Sequence, residues 1–388
     1  MRLISFLIFE TPKKDILLWD NISEKIISNA LRPYNYISIN TREFINVAPF
    51  YIFKSIKIFL KNYKRISSCS IGSTKKAKFL LFNPKVLIFL KRIKYSLECI
   101  NELSVILYYK PRLIISNTDN SVCLEFIDAI IHDSIPLITI QNGNRWHSPS
   151  LEKMKYLEHF FRPKGFHSCF AALSKCDIDM YKNNGWKCKE YEVVGSLNSE
   201  ATFNKFCKEK VFDICIIAES INKRNTTLKL SKLLRNFLKN KSLKVCVTLK
   251  RSPSDNGFAE YYEEVNNLFG DFAYLIPRNS SSLGLISSAE VIIGIFSTAL
   301  RDVFSLGNKI YPINFGPSEL NSYMDFLKIN LKPSQEEFNN HLEELLKMSK
   351  KEYISKYENL FKYLGSFPQD IFPTERLGIL IERKIKNF

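Results

Sequence analysis

The residues of this sequence most suited to chemistry are three short polar pairs, each directly following an apolar run. Hydroxyls, cations and free backbone N–H groups bind phosphate oxygens, with arginine offering a planar fork and lysine a point charge. Each pair alone has an ordinary interpretation, as a helix cap or as a solvated surface charge. Together they predict a cradle for a diphosphate or a nucleoside monophosphate, built from Glu219 and Ser220, Lys250 and Arg251, and Ser297 and Thr298.

The Ser297-Thr298 pair lies at a predicted strand–turn–helix junction. Val291–Ile295 is an apolar run too short for a globular helix and typical of a buried strand. Residues 299–306 then predict a short helix, which Gly307 ends before another strand begins. A helix N-terminus attracts anions, because unpaired N–H donors and the positive end of the helix dipole converge there. This junction is therefore the predicted centre of the phosphate site.

The first half of the chain offers two carboxylates and one polar loop at predicted strand ends. Glu10 and Asp119 each suit a general base acting on an acceptor hydroxyl, or a nucleophile, and each equally suits a helix N-cap. The loop QNGNRWH (141–147) mixes donors and acceptors with an aromatic ring. It suits sugar hydroxyls with a carboxylate or phosphate, and equally a polar surface loop; the candidate acceptor contacts are Gln141, Asn142, Arg145 and His147.

Strand and helix patterns alternate through both halves of the chain. Helical spacing of Ile16, Trp19, Ile22 and Ile26 predicts a helix over 16–30. The alternation predicts an α/β fold of two Rossmann-like, doubly wound domains facing across a cleft, with C-terminal helices packing back. Short apolar runs predict strands at 2–9, 36–39, 112–116, 136–141, 169–173, 191–195, 212–218, 244–249, 272–276 and 291–295.

The polar stretch 195–210 separates the two alternations and is the predicted linker. We expect one Rossmann-like domain over 1–200, a second over 201–370, and a helix over 371–388 that crosses back to the first. In open α/β sheets ligands bind beyond the carboxyl ends of strands. The polar pairs and the two carboxylates all follow predicted strands, so the fold and the proposed chemistry agree.

Several familiar sites are missing from the sequence. It contains no Gly-x-Gly-x-x-Gly, no P-loop and no Gly-x-Ser-x-Gly, which disfavours dehydrogenases, P-loop NTPases and α/β-hydrolases. The nine cysteines form no Cys-x-x-Cys and the five histidines do not cluster. This pattern fits buried thiols in a reducing cytoplasm rather than disulfides or zinc, and we expect no metal.

The net charge of +17 indicates an anionic partner: nucleic acid, a membrane surface or a phosphorylated substrate. The segment 54–65 (KSIKIFLKNYKR) places four lysines at helical spacing, with Ile56, Phe59, Leu60 and Tyr63 largely on the other side. A solvated helix face and attachment to an anionic bilayer both remain open for it. No nucleic-acid motif is present. We expect no transmembrane helix, and a first strand rather than a signal peptide at the N-terminus.

Four motifs resemble the bacterial surface carbohydrate biosynthesis proteins, a family of glycosyltransferases with the GT-B fold. They are ISNTDN (115–120), ITIQNGNR (138–145), YEVVGSLNS (191–199) and IGIFSTALRDVFSLGNKI (293–310), and IFETPKKDILL (8–18) is similar to the family's start. Asp302 stands where the family usually has Glu, and Lys14 where Arg is expected. The resemblance adds Asp302 to the donor site, and its shorter side chain puts contacts to ribose or acceptor in question.

The resemblance implies a cytoplasmic enzyme that moves a sugar from a nucleotide donor to a growing surface glycan, as in lipopolysaccharide or capsule. The first domain would bind the glycan or lipid-linked acceptor, and the second the nucleotide sugar, including CMP-activated ulosonic acids such as Kdo. No metal or further cofactor is implied, and peripheral attachment to the inner face of the plasma membrane is a further expectation. A CDP-polyol phosphotransferase of the teichoic-acid type and an inactive assembly scaffold remain alternatives.

Overall fold

A computed structural model of the chain describes residues 14–19, 24–39, 49–64, 84–117, 122–131, 133–141, 168–183, 188–197, 200, 210–218, 224–278, 282–294, 298–315, 327, 329–364 and 371–387. In chain order the elements begin with β1 (Ile16–Trp19), α1 (Glu24–Leu31), β2 (Tyr36–Ile39), α2 (Pro49–Lys61), α3 (Pro84–Tyr109), β3 (Leu113–Ser116), α4 (Val122–Ile131), β4 (Leu137–Ile140), β5 (Cys169–Ala172), α5 (Lys175–Asn183) and β6 (Tyr191–Val193).

The second series begins with another strand and ends in four helices. It runs through β7 (Phe212–Ile217), α6 (Arg224–Leu238), β8 (Val245–Thr248), α7 (Phe258–Phe269), β9 (Tyr274–Ile276), α8 (Ser282–Ser287), β10 (Ala289–Gly294), α9 (Thr298–Ser305), β11 (Lys309–Pro312), α10 (Gln335–Lys347), α11 (Lys350–Lys356), α12 (Glu358–Leu364) and α13 (Pro373–Lys386).

The chain divides into two compact units. Unit 1 comprises Met1–Gly143, Met154–Val194 and Pro373–Phe388, and unit 2 comprises Asn144–Lys153 and Gly195–Phe372. Unit 1 contains a six-stranded sheet in the order β2-β1-β3-β4-β5-β6, and unit 2 a five-stranded sheet in the order β11-β10-β7-β8-β9. Every strand pair in both sheets is parallel. Two doubly wound α/β units are thus confirmed.

The central strands read as continuous apolar runs because helices cover both faces of a parallel sheet. All four residues of β3 are buried, and so are all four of β4 and β8. In unit 1 the helices α3 and α4 pack together and contribute Leu103, Ile106 and Phe126 to one cluster with Leu17 and Ile114 of the sheet. The sheet and helices of unit 1 therefore share one core.

The prediction of a helix over 16–30 is wrong in its first part. Ile16–Trp19 forms strand β1 between β2 and β3, and only residues 24–31 are helical. All four β1 side chains are buried, which a central parallel strand requires and an amphipathic helix does not allow. Apolar residues at 16, 19, 22 and 26 match helical spacing by coincidence. The strand predicted at 2–9 lies outside the described residues.

The last helix, α13, belongs to unit 1 and is fixed there by packing and by charge. It packs along α1 and touches β3, and Leu377 and Ile381 are fully buried. Arg383 forms ion pairs with Glu190 and Glu192 at the edge strand β6, and Lys384 pairs with Glu190. These cations hold the pKa of Glu190 below its usual value despite partial burial.

Candidate functional site

The strand order of the unit 2 sheet reverses direction between β7 and β10. From β7 the chain adds β8 and β9 on one side, then returns to place β10 and β11 on the other. The connections from β7 to β8 and from β10 to β11 therefore run to opposite sides of the sheet, and open α/β sheets bind ligands beyond the carboxyl ends of strands at such a reversal. The register places Gly294, the last residue of β10, beside Ile217, the last residue of β7.

Helix α9 begins at Thr298, four residues after the last residue of β10, as the sequence indicates. Its inner face is anchored by Leu300, Val303 and Phe304, all fully buried, and Phe304 stacks on Phe361 of α12 with ring centroids 4.2 Å apart. Gly307 ends the helix with φ 78°, a left-handed conformation that favours glycine. The helix is thus held along its side and at its far end, and its N-terminus follows β10, one of the two strands at the reversal.

Arg301 adds a polar anchor to the same helix. Its side chain is 3% exposed, and Nε and Nη2 donate to the carbonyl oxygen of Leu364 at 3.1 and 2.9 Å. Two charge-assisted hydrogen bonds to the end of α12 compensate for burying a guanidinium. Arg301 therefore joins α9 to the end of α12.

Asp302 lies one residue further on and joins two distant segments of unit 2. The hydroxyl of Ser196 donates to Oδ1 of Asp302 at 2.8 Å. Gly195, which precedes Ser196, has φ 103°, a backbone conformation that residues other than glycine rarely adopt. The motifs YEVVGSLNS and IGIFSTALRDVFSLGNKI thus meet at one hydrogen bond. Ser196 is not among the predicted site residues, although the motif YEVVGSLNS contains it.

The two side chains of the predicted cation pair, Lys250 and Arg251, have different surroundings. Arg251 Nη1 donates to the carbonyl oxygens of Asn256 and Gly257 at 3.0 and 2.9 Å, and its guanidinium lies 5.6 Å from the Tyr261 ring centroid. Arg251 thereby shapes the loop between β8 and α7. The backbone N–H of Lys250 donates to Tyr261 Oη at 3.1 Å, while the Lys250 side chain is exposed after β8.

Gln141, a predicted acceptor contact, has a structural position at the end of β4. It is 4% exposed. Its Nε2 donates to Asp177 Oδ1 at 2.8 Å, and its Oε1 accepts from the Leu173 backbone N–H at 3.0 Å. The amide therefore bridges the end of β5 and the start of α5.

The remaining predicted site residues lie outside the described part of the chain. These are Glu10, Asp119, Asn142, Arg145, His147, Glu219, Ser220 and Ser297, together with the side chain of Thr298. Two relations still follow from the described strands. Asp119 comes three residues after β3, and the order of the unit 1 sheet reverses between β1 and β3. Glu10 precedes β1 in the chain, so it is not at the carboxyl end of that strand.

Unit 1 also contains a buried carboxyl group with an unusual acidity. Burial of Asp128 on α4 raises its pKa to about 7, while a hydrogen bond from Ser168 and the charge of Lys189 act in the opposite direction. Ser168 Oγ donates to Asp128 Oδ1 at 2.6 Å. This group lies on the helix that follows β3, and its raised pKa predicts that the stability of unit 1 depends on pH.

Within the described ranges, no three His, Cys, Asp or Glu residues come together in a way that would hold a metal ion. Six cysteines in these ranges form no disulfide, and five of them are buried. Burial raises the pKa of Cys188 to about 12, which keeps that thiol protonated. No helix in the described part of the chain is long and apolar enough to cross a membrane.

The sequence matches no protein-family model and no curated protein. Solved structures do resemble it. One is the UDP-GlcNAc 2-epimerase of Neisseria meningitidis bound to UDP-GlcNAc, with a TM-score of 0.53 and 11% identity over 96% of this chain and 99% of that one. Another is MnaA of S. aureus solved with UDP, with a TM-score of 0.51 and 13% identity over 97% and 98% of the two chains. At such identities the likeness concerns the fold: the chain has the two-domain, Rossmann-like architecture of the GT-B type.

Proposed function

We propose that the protein is a glycosyltransferase that binds a nucleotide sugar at the carboxyl edge of the unit 2 sheet. The observation that carries the proposal is the position of α9, whose N-terminus follows β10 at the strand-order reversal. Asp302 on the same helix is oriented by Ser196. An anion-attracting helix end beside an oriented carboxylate suits a ligand that carries both phosphate and hydroxyl groups.

Each residue of this site has a proposed part in binding. Ser297 and Thr298, with the first N–H groups of α9, would bind the phosphate next to the sugar. Lys250 would add a positive charge, and Glu219 and Ser220 would close the loop after β7. Asp302 would accept a hydrogen bond from a sugar or ribose hydroxyl, with Ser196 holding its carboxylate in place. Arg251 would act indirectly, by shaping its own loop.

The chemical step proposed is substitution at the anomeric carbon of the donor sugar. The bond from that carbon to the phosphate oxygen breaks, the acceptor oxygen forms a new bond, and a carboxylate takes the acceptor proton. Asp119 and Glu10 remain the proposed carboxylates, with Asp119 favoured by its place after β3 at the reversal of the unit 1 sheet. Stabilising the departing phosphate by fixed donors would supply much of the rate enhancement.

The acceptor proposed is a growing surface glycan or its lipid-linked form, contacted by the loop that contains Asn142, Arg145 and His147. A CMP-linked ulosonic acid is the proposed donor, since a single phosphate suits a cradle of two hydroxyls and a helix end. Release of CMP with sugar transfer supports this reading. Transfer of a polyol phosphate from a CDP-linked donor would also release CMP, so the transferred group must be identified by mass.

A second candidate is epimerisation of a UDP-sugar, and the structural comparisons favour it. The two structures described above are of a UDP-GlcNAc 2-epimerase and of a protein solved with UDP, and each aligns over nearly the whole chain. Incubation with UDP-GlcNAc alone separates the candidates. An epimerase changes the sugar without an acceptor, whereas a transferase leaves the donor intact until an acceptor is added.

Thermal-shift titration with CMP, CDP, UDP and GDP species tests the site itself. A ligand that binds only the folded protein raises its melting temperature by mass action. The double variant Ser297→Ala with Thr298→Ala is expected to weaken nucleotide binding about tenfold or more, since two hydrogen bonds to a charged group are lost. Ser355→Ala, on the exposed part of α11, is the matched control. Unchanged affinity in the double variant overturns the site, and binding without turnover of any donor supports the scaffold alternative.

A further inference from the structure

Helices α2 and α3 expose large apolar side chains among lysines. On α2, Phe53 is 72% exposed and Leu60 is 64% exposed; on α3, Leu97 is 63% exposed. Single exposed apolar residues are ordinary, but a contiguous group of them marks an interaction surface. We call this group the basic–apolar surface, and define it by Phe50, Phe53, Leu60, Leu90, Ile93 and Leu97 with Lys54, Lys57, Lys61, Lys64 and Lys94.

The buried residues of α2 show which of its faces is packed. Ser55 and Phe59 are buried, one turn apart. Phe53, Lys57, Leu60 and Lys64 lie on the opposite side, because 3.6 residues make one turn. The sequence prediction placed Leu60 and Tyr63 on an apolar side away from the lysines, and this is wrong: both are exposed. Apolar and basic side chains share one solvent face.

Helix α3 continues this surface. Cys99, Leu103 and Ile106 face the core, whereas Leu90, Ile93 and Leu97 lie at spacing i, i+3 and i+7 on the other side. The two helices pack together: Ser104 Oγ donates to Ser55 Oγ at 3.0 Å, and the Tyr51 and Tyr108 ring centroids are 5.6 Å apart.

The two contacts show that α2 and α3 run antiparallel. Extending this pairing along both helices brings the end of α2 level with Leu97 of α3. The exposed apolar stripe of α3 therefore extends the surface that α2 begins.

The charge of this region has one sign. Between Phe44 and Leu97 the sequence contains twelve Lys or Arg residues and no Asp or Glu. The two described helices contribute Lys54, Lys57 and Lys61 on α2 and Lys94 on α3, all exposed. Lys94 lies at the end of this basic segment, 3.7 Å from Glu98. Such a concentration attracts an extended anionic surface rather than one small anion.

We propose that the basic–apolar surface binds an anionic lipid bilayer, with its apolar side chains in the headgroup–acyl boundary and its lysines at the lipid phosphates. Exposed phenylalanine and leucine beside lysine stabilise interfacial helices in this way. Nucleic acid would use the same charge and could stack on Phe50 and Phe53, but the exposed leucine and isoleucine side chains that make up the rest of the surface offer no ring for a base to stack on. The proposal does not depend on the nucleotide-sugar function, because the surface lies in unit 1 and the nucleotide site in unit 2.

The test is co-sedimentation of the full chain with vesicles of phosphatidylcholine alone and of phosphatidylcholine mixed with phosphatidylglycerol. We expect binding to the anionic vesicles that weakens as salt rises. Lys57→Gln with Lys61→Gln should weaken it about fivefold per lysine. Phe53→Ser with Leu97→Ser should weaken it about tenfold per side chain, since apolar burial is lost. All four residues are exposed, so the melting temperature should change little.

Matched controls lie in unit 2. Lys347→Gln with Lys362→Gln removes two exposed lysines, and Tyr274→Ser removes a ring that is 66% exposed. Both control variants should bind anionic vesicles as well as the parent protein does. The two test variants and the two controls should all keep the nucleotide affinity of the parent protein. Failure to bind anionic vesicles overturns the proposal, as does binding that neither test variant weakens. Stronger binding to a single-stranded oligonucleotide would assign the surface to nucleic acid, and a dimer lost in Phe53→Ser would assign it to a second copy.

Discussion

Replacing Ser196 by alanine tests whether one hydrogen bond holds the carboxylate of α9 in place. The bond to Asp302 is 2.8 Å long and Ser196 is 7% exposed, so water has little access to replace it. A hydrogen bond to a charged group contributes about 1.5–3 kcal/mol to the free energy of unfolding. A loss of about 2 kcal/mol should lower the melting temperature by about 4–8 °C for a unit of roughly this size.

A double-mutant cycle separates this bond from other effects of the substitution. Ser196→Ala, Asp302→Ala and the double variant are compared by melting temperature and by affinity for the nucleotide that stabilises the protein most. Because the bond exists only when both side chains are present, a coupling of about 1.5 kcal/mol is expected.

Ser355→Ala again serves as the control, since its side chain is exposed on α11. Effects that add within about 0.3 kcal/mol would refute the reasoning, because independent sites behave in that way. A stability coupling without any loss of nucleotide affinity in Ser196→Ala would show that the bond is structural and leave Asp302 outside the site.

Three further predictions concern the frame of the two units. Gln141→Ala should cost about 2–4 kcal/mol, since it removes two buried hydrogen bonds, one of them to the Asp177 carboxylate; a melting temperature near that of the parent protein would contradict this. Burial raises the pKa of Asp128 to about 7, so the folded protein keeps a proton that the unfolded chain releases, and stability should fall as pH rises from about 4 to 7. Asp128→Asn should remove up to about 4 kcal/mol of that dependence, measured by urea unfolding at several pH values. Arg301→Met should lower the melting temperature because it removes both hydrogen bonds to the Leu364 carbonyl; an equal loss in nucleotide affinity and stability would instead place Arg301 in the site.

Sequence patterns predicted the elements well where the determinants are local. Helix α10 begins at such a local signal, because Ser334 and Glu337 cap each other's backbone N–H groups at its start. The junction at α9 follows the same logic, with an apolar strand, hydroxyl residues and a terminal glycine. Parallel sheets could be predicted from the alternation of short apolar runs and amphipathic helices.

The sequence prediction failed where only long-range packing decides whether a segment is strand or helix, or which side of a helix is buried. Four apolar residues at Ile16–Trp19 fit a helix face or a buried strand equally well, and the strand is selected by pairing with β2 and β3. Helical spacing on α2 could not reveal which side packs against α3, so the exposure of Phe53 and Leu60 came as a finding of the structure.

By itself the sequence determined the fold class, the position of the α9 junction and the basic character of residues 44–97, because periodicity, capping and charge are properties of neighbours in the chain. Tertiary structure alone decided the order of the strands, and with it the reversal between β7 and β10 where the site is proposed. It also brought Ser196 to Asp302 across more than one hundred residues and turned Arg251 toward its own loop. These contacts form only when the sheet and its helices close around a shared core, and no local pattern encodes them.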